Sequence, residues 1–154
     1  LDNVRITQLF GKTVAAQKLY VSGSHSGIDF GALVGTKVKA VKSGTVIDTG
    51  NTDIPGCYSY GKWILIKHNN GLSSVYAHLS YISVSSGQNV DDGQLIGYVG
   101  NTGYSTGPHL HLGVWASQGV KVETYTGGKY CNGLKMPVVS KNAYLDPMLY
   151  LPTL

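Results

Sequence analysis

Glycine interrupts this chain so often that little room is left for long regular helices. Glycine occupies 21 of 154 positions, about twice its usual share of roughly 7%. Between the glycine-bearing turns lie short apolar or alternating runs. Thr36 to Ala40 alternates, and Gly44-Thr45-Val46-Ile47 follows it. Lys62-Trp63-Ile64-Leu65-Ile66-Lys67-His68 leads through Asn69-Asn70-Gly71 into Leu72 to His78, a hairpin signal. Gln94 to Gly100 and Leu110 to Trp115 complete the series. No stretch keeps a helical period over three turns, and Lys12 to Tyr20 is the one short helix candidate. The expected class is all-β or β-rich, with little helix and a single domain over 1–154. Gly119 to Ser140 reads as a polar, irregular loop excursion, and Asn142 to Leu154 as a tail packed on the body.

Composition removes several function classes. At 42% hydrophobic residues the chain can build a core. At 13% charged residues it is no coiled coil or helical bundle. No apolar run approaches the ~20 residues of a membrane span, so a soluble chain is expected. Leu1-Asp2-Asn3-Val4-Arg5 has neither a basic nor an apolar leader region, as expected of a mature or excised domain. The 12 basic and 8 acidic residues give a net charge of +4. That mild field favours anionic partners such as cell-wall polymers. Only Lys37, Lys39 and Lys42 cluster, and on an alternating strand they read as a solvated face. With no basic stripe or recognition motif, no nucleic-acid partner is expected.

The two cysteines, Cys57 and Cys131, form no CxxC motif, which argues against a zinc knuckle or a thioredoxin-like site. Both lie in polar, glycine-rich surroundings that suit a core poorly, so a disulfide and an oxidising compartment are the expectation. Low charge and abundant Gly, Ser, Thr and Tyr also fit a secreted chain.

The five histidines carry the chemistry. His109 and His111 flank Leu110 in a strand-like run, so both imidazoles share one face. Alone they read equally well as a metal pair or a solvated strand face. His25 and Asp29 are four apart, but Gly27 and Gly31 argue against a helix. In an extended chain the two again share one side, with Ile28 and Phe30 turned to the core. A carboxylate between those apolar neighbours needs a partner, and metal coordination supplies one. Two His and one carboxylate make a catalytic zinc set with an open fourth position. His78, and whichever of His109 and His111 is not a ligand, are then spare imidazoles for acid–base work or charge stabilisation. His68 is assigned to structure, with a hydrogen bond to the turn after it.

His25-xxx-Asp29, Tyr76-Ala77-His78-Leu79-Ser80, Gly87 to Gly97 and Ser105-Thr106-Gly107-Pro108-His109-Leu110-His111 together resemble the lysostaphin-like (LytM-type) zinc metallopeptidases. These are secreted bacterial peptidoglycan endopeptidases, and the resemblance runs from about Gly23 to Val114. It implies an antiparallel β-sheet core with a groove walled by loops. It implies one zinc ion on His25, Asp29 and His111, and catalytic roles for His78 and His109. The implied reaction is hydrolysis of a stem or cross-bridge peptide in the bacterial envelope, by a monomer or one module of a larger protein. Leu112 and Gly113 stand where the family usually has an aromatic and an acidic residue, which bears on groove shape. Tyr58, Tyr60, Tyr104 and Trp115 sit near the motifs as candidate groove residues. The rival reading is a non-catalytic wall-binding or scaffold domain on the same fold. Retention of the whole ligand set argues against it.

Overall fold

The computed structural model describes residues 4–20, 22–57, 59–126 and 129–151. Its strands in chain order are β1 (Arg5–Gln8), β2 (Ile28–Gly31), β3 (Lys37–Lys39), β4 (Gly44–Asn51), β5 (Lys62–Lys67) and β6 (Leu72–Ile82). There follow β7 (Asn89–Val90), β8 (Leu95–Val99), β9 (His109–Ala116), β10 (Val120–Thr124), β11 (Lys135–Val139) and β12 (Tyr144–Leu145). Among the described residues the two α-helices are short. Helix α1 (Val14–Leu19) falls inside the one stretch whose sequence suggested a helix, and the Thr13 side chain caps it by accepting from the Ala16 N–H. Helix α2 (Pro147–Tyr150) is capped by Asp146, with Pro147 at its first position.

Every strand pairing is antiparallel. The central path runs β1-β2-β9-β6-β5-β4-β7, with β12 added to β9 and β8 bridging β6 and β3. Side-chain alternation splits the core between the two sheet faces. Ile28, Ile64, Ile66, Tyr76, Leu110 and Leu112 fall in one cluster. Their strand neighbours Trp63, Leu65, Val75, Ala77 and Trp115 form a second. Asp29 and His111 are cross-strand partners, as are Ala77 and His111, so the polar centre shares its face with the second cluster. Of the local basic cluster, Lys37 and Lys39 are exposed on either side of buried Val38.

The 119–140 excursion is a structured hairpin and not a loop. Strands β10 and β11 pair from Val120↔Val139 to Thr124↔Lys135, and Val120, Val122 and Val139 pack on the second cluster. Three valines on the inner side anchor a segment whose average polarity conceals them. Cys57 and Cys131 are bonded and close a separation of 74 residues. Chain-entropy arguments put the stabilisation from a loop of that size at about 4 kcal/mol.

His68 is structural, but its partner is not the turn after it. Its Nδ1–H donates to the Ser43 carbonyl at 2.9 Å. Nε2 accepts from Ser74 Oγ at 2.9 Å. Ser74 Oγ contacts the Tyr76 hydroxyl at 3.0 Å, and that hydroxyl accepts from the Val41 N–H at 2.9 Å. A neutral His68 satisfies this buried chain. Burial lowers the His68 pKa below its ordinary 6.5, against the Ser43 hydrogen bond. The unfolded chain therefore binds more protons as pH falls below about 6.5. The stabilisation is complete above that pH and is lost toward the lowered folded value. Urea unfolding from about pH 7.5 to 5 is expected to show a steeper acid loss for wild type than for His68→Gln. Equal pH slopes would contradict this.

Candidate metal centre and groove

Three segments deliver three donor atoms. His25 precedes β2 and is held by paired backbone hydrogen bonds with Gly11, 2.9 Å in each direction. Its Nδ1–H donates to the Leu9 carbonyl at 3.0 Å, which turns Nε2 inward. Asp29 lies on β2 directly opposite His111 on β9. His25 Nε2 is 3.1 Å from Asp29 Oδ1 and 3.1 Å from His111 Nδ1. His111 Nδ1 is 2.9 Å from Asp29 Oδ1. The other His111 nitrogen lies 3.5 Å from Ser26 Oγ. All three residues are buried.

The donor set fits a divalent cation. With Nδ1–H of His25 committed to Leu9, neutral His25 brings only a lone pair to the cluster. Asp29 brings only acceptor oxygens. A proton on His111 Nδ1 cannot fully satisfy both, so two acceptors are left facing one another. One ligand atom from each residue lies within 4.8 Å of the others, close enough to meet on one ion. Outward ring nitrogens tied to a carbonyl and a hydroxyl are the support that metal-ligating imidazoles need. Burial alone would raise the Asp29 carboxyl. Hydrogen bonds from His111 and His25, with their charges, hold it well below the ordinary carboxylate range. Burial pushes the His111 imidazole down, against the pull of Asp29.

Gly27 makes room for this arrangement. A Cβ there would stand 2.8 Å from both Cε1 and Nε2 of His111 and 2.5 Å from the Leu112 carbonyl oxygen. A side chain at residue 27 would displace the ring or the strand behind it.

His78 and His109 flank the cluster. Their rings are 4.7 Å apart, and His78 is 6.0 Å from His111. The Nδ1–H of His78 donates to the Thr102 carbonyl at 2.7 Å, leaving Nε2 free. The Nδ1–H of His109 donates to the Gly107 carbonyl at 2.8 Å, and its Nε2 is 3.7 Å from Asp29 Oδ2. His78 owes its direction to a break in β6. Lys62 pairs with Leu79 and Ile64 with Tyr76, so β6 carries one extra residue there. Strand β6 also exchanges partners at this point, from β9 up to Ala77 to β8 from Leu79 onward. Among the described residues, His78 is the one non-glycine with positive φ, at 60°. Burial, and then the charges of His111 and His109, push its pKa down to about 3. It is therefore neutral near pH 7, with a lone pair on Nε2.

A cavity of about 350 Å³ opens over these groups. Beside His25, His78 and His111 it is lined by Tyr20, Tyr60, Tyr104, Tyr144 and the serines 22, 24, 26 and 59. Among the described residues that line it there is no Lys, Arg, Asp or Glu. Of the tyrosines that the sequence offered, Tyr60 and Tyr104 line this cavity. Trp115 does not reach the groove, because it is fully buried in the second cluster. It packs edge-on against Tyr60 at 6.3 Å and Tyr144 at 5.9 Å, and so supports the rings that do line the wall. Tyr58 lies outside the described residues. Sequence reasoning missed Tyr20 and Tyr144. The stacking of Tyr20 on His25, 5.6 Å between centroids, had a faint signal in their closeness along the chain. Tyr144 had none.

Two imidazoles and a carboxylate, with two further imidazoles at the rim, form a donor set suited to metal-assisted hydrolysis. Residues 23–124 match the model of peptidase family M23, and the chain belongs to that family. It is 45% identical over 87 residues to the peptidoglycan DD-endopeptidase ShyA of Vibrio cholerae, which covers 56% of this chain and 19% of ShyA. The chain thus spans about a fifth of that relative's length. The solved catalytic domain of lysostaphin, the antimicrobial peptidase of Staphylococcus simulans, superposes with a TM-score of 0.73 at 30% identity. That match covers 98% of this chain and 94% of that domain. A zinc-containing peptidase from Vibrio cholerae gives a TM-score of 0.65 at 30% identity, covering 76% of this chain and 35% of that one.

Proposed function

We propose that this chain is a zinc-dependent endopeptidase that hydrolyses peptide bonds of bacterial cell-wall peptidoglycan, in the stem or the cross-bridge. The convergence of His25, Asp29 and His111 within hydrogen-bonding distance, with His78 and His109 beside them, carries the reading. The names of the relatives support the substrate. His25, Asp29 and His111 would hold one zinc ion, which supplies Lewis acidity toward water and a peptide carbonyl. The chain's own residues do the remaining work. Neutral His78 accepts a proton at Nε2 and returns it to the leaving amine, while Thr102 keeps its ring in place. His109, fixed by Gly107 with its ring 4.7 Å from that of His78, stabilises charge that develops on the carbonyl oxygen. Hydroxyls along the wall offer hydrogen bonds to a peptide backbone and no ionic partner to its side chains. We place the protein outside the cytoplasm, where its substrate and a stable disulfide both occur.

The test is to incubate the protein with purified peptidoglycans of several cross-bridge types, with and without a chelator, and identify the fragments by mass. Chelator-sensitive release of peptides is expected. Metal-loaded protein that releases nothing from any wall would favour the scaffold reading.

A further inference from the structure

The cross-link between Cys57 and Cys131 fastens the β10–β11 hairpin, whose second strand lies beyond the family match, to the loop that supports His78. Beyond the strands the ladder continues with hydrogen bonds from Tyr125 N–H to the Leu134 carbonyl (2.9 Å) and from Gly133 N–H back to the Tyr125 carbonyl (2.8 Å). The turn end of its ladder is tied to β4 by Lys135, whose Nζ meets both Asp48 oxygens at 2.8 and 2.9 Å. The Tyr130 ring covers Gly56, where a Cβ would come within 2.5 Å of ring atoms. The disulfide and this ring therefore seat the hairpin on residues 56 and 57.

Those residues belong to a loop closed by the hydrogen bond from Thr52 N–H to the Gly61 carbonyl, 2.8 Å. The Tyr60 carbonyl accepts from the His78 N–H at 2.8 Å, and the Ser59 carbonyl accepts from the Tyr104 N–H at 2.9 Å. Asp53 accepts from the Gly103 N–H at 2.9 Å. Where the two loops cross, the backbones touch. A Cβ on Gly61 would lie 2.6 Å from the Thr102 carbonyl oxygen, and one on Gly103 would strike Gly61 and Ser59. The Thr102 oxygen is the atom that accepts from His78 Nδ1. Both hydrogen bonds that fix His78, one to its backbone and one to its ring, thus come from this loop pair. A non-glycine residue stays at positive φ only where its surroundings over-determine it.

We infer that the Cys57–Cys131 bond is a positioning element of the catalytic centre: through Tyr60 and Thr102 it keeps His78 aimed, so turnover depends on it and metal retention does not. The metal donors rest on other supports, namely Leu9, Ser26 and the β2–β9 ladder. The activity readout rests on the hydrolase reading above; the spectroscopic readout does not.

The test compares the oxidised protein, the protein reduced with a trialkylphosphine, and the Cys57→Ser/Cys131→Ser variant. The phosphine attacks one sulfur, water supplies the oxygen of the phosphine oxide, and both sulfurs leave as thiols. Metal content, kcat and KM on a released wall peptide, and the imidazole NMR signals of His78 are measured. Both open forms are expected to keep their metal and lose about tenfold to a hundredfold in kcat, more than KM changes. His78 signals should move while those of His25 and His111 stay, and reoxidation should restore the reduced protein. Unchanged kcat with unchanged His78 signals in folded, reduced protein would overturn the inference. If the oxidised wild type hydrolyses nothing, the functional reading fails and the His78 signals alone decide. If the serine variant does not fold, Cys57→Ala/Cys131→Ala opens the same bond without adding a hydroxyl, and His78 signals identical to those of the oxidised wild type in that variant would sink the idea. If no open form folds, the bond serves the fold as a whole and the specific positioning role is overturned.

Discussion

Asp29→Ala is expected to abolish metal binding and hydrolysis together. Asp29 is the one carboxylate in the cluster, and its Oδ1 meets both His111 Nδ1 and His25 Nε2. Removing it leaves two imidazoles and no anionic donor to offset the charge of a divalent ion. A bound metal contributes several kcal/mol of transition-state stabilisation, so turnover should fall by about a thousandfold or more. The fold should persist, because Ile28 is fully buried and Phe30 packs beside it on the opposite face of β2. Asp29→Asn separates charge from shape: it keeps the volume and loses the anion, and it should also lose metal. His111→Ala should behave like Asp29→Ala. Metal analysis beside a wall-clearing assay decides the point. An Asp29→Ala protein that holds stoichiometric metal and clears walls at the wild-type rate would remove Asp29 from the site.

Period-two alternation reaches part of this centre from sequence alone. It turns His109 and His111 to one face with Leu110 to the other, and it separates Asp29 from Ile28 and Phe30. The structure has both patterns, and the Asp29↔His111 pairing follows once β2 and β9 lie side by side. The same rule fails at His78. Counting by twos from buried Tyr76 sends His78 into the first core cluster. The extra residue in β6 sends Leu79 there in its place and frees His78 for the groove. A bulge forms where a strand exchanges partners, and partners far apart in sequence leave no local trace. The residues alone marked His78 as a spare imidazole, and the family resemblance implied its catalytic role. Trp115 illustrates the opposite failure. Its parity with His109 and His111 is correct, but depth depends on what lies above it. Tyr144, arriving from beyond the hairpin, covers it. The hairpin itself was hidden because its outward residues and its turn are polar, so three inward valines carry the whole signal.

His78→Ala and His78→Gly are expected to bind metal normally and lose turnover by about a hundredfold to ten-thousandfold, the usual worth of a positioned acid–base group. The metal donors do not depend on His78, whose ring is held by Thr102 and not by the cluster. The two variants should differ in stability. The backbone at residue 78 has φ 60°, a conformation that burdens alanine by about 1–2 kcal/mol and glycine hardly at all. Both lose the same imidazole and the same hydrogen bond to Thr102. Their difference in urea unfolding therefore reports the backbone cost alone, with glycine the more stable by about 1 kcal/mol. Equal stability of the pair would show that the bulge relaxes once the ring is gone. Wild-type turnover in either variant would strip His78 of its catalytic assignment, while metal lost from either would make it a support of the ion.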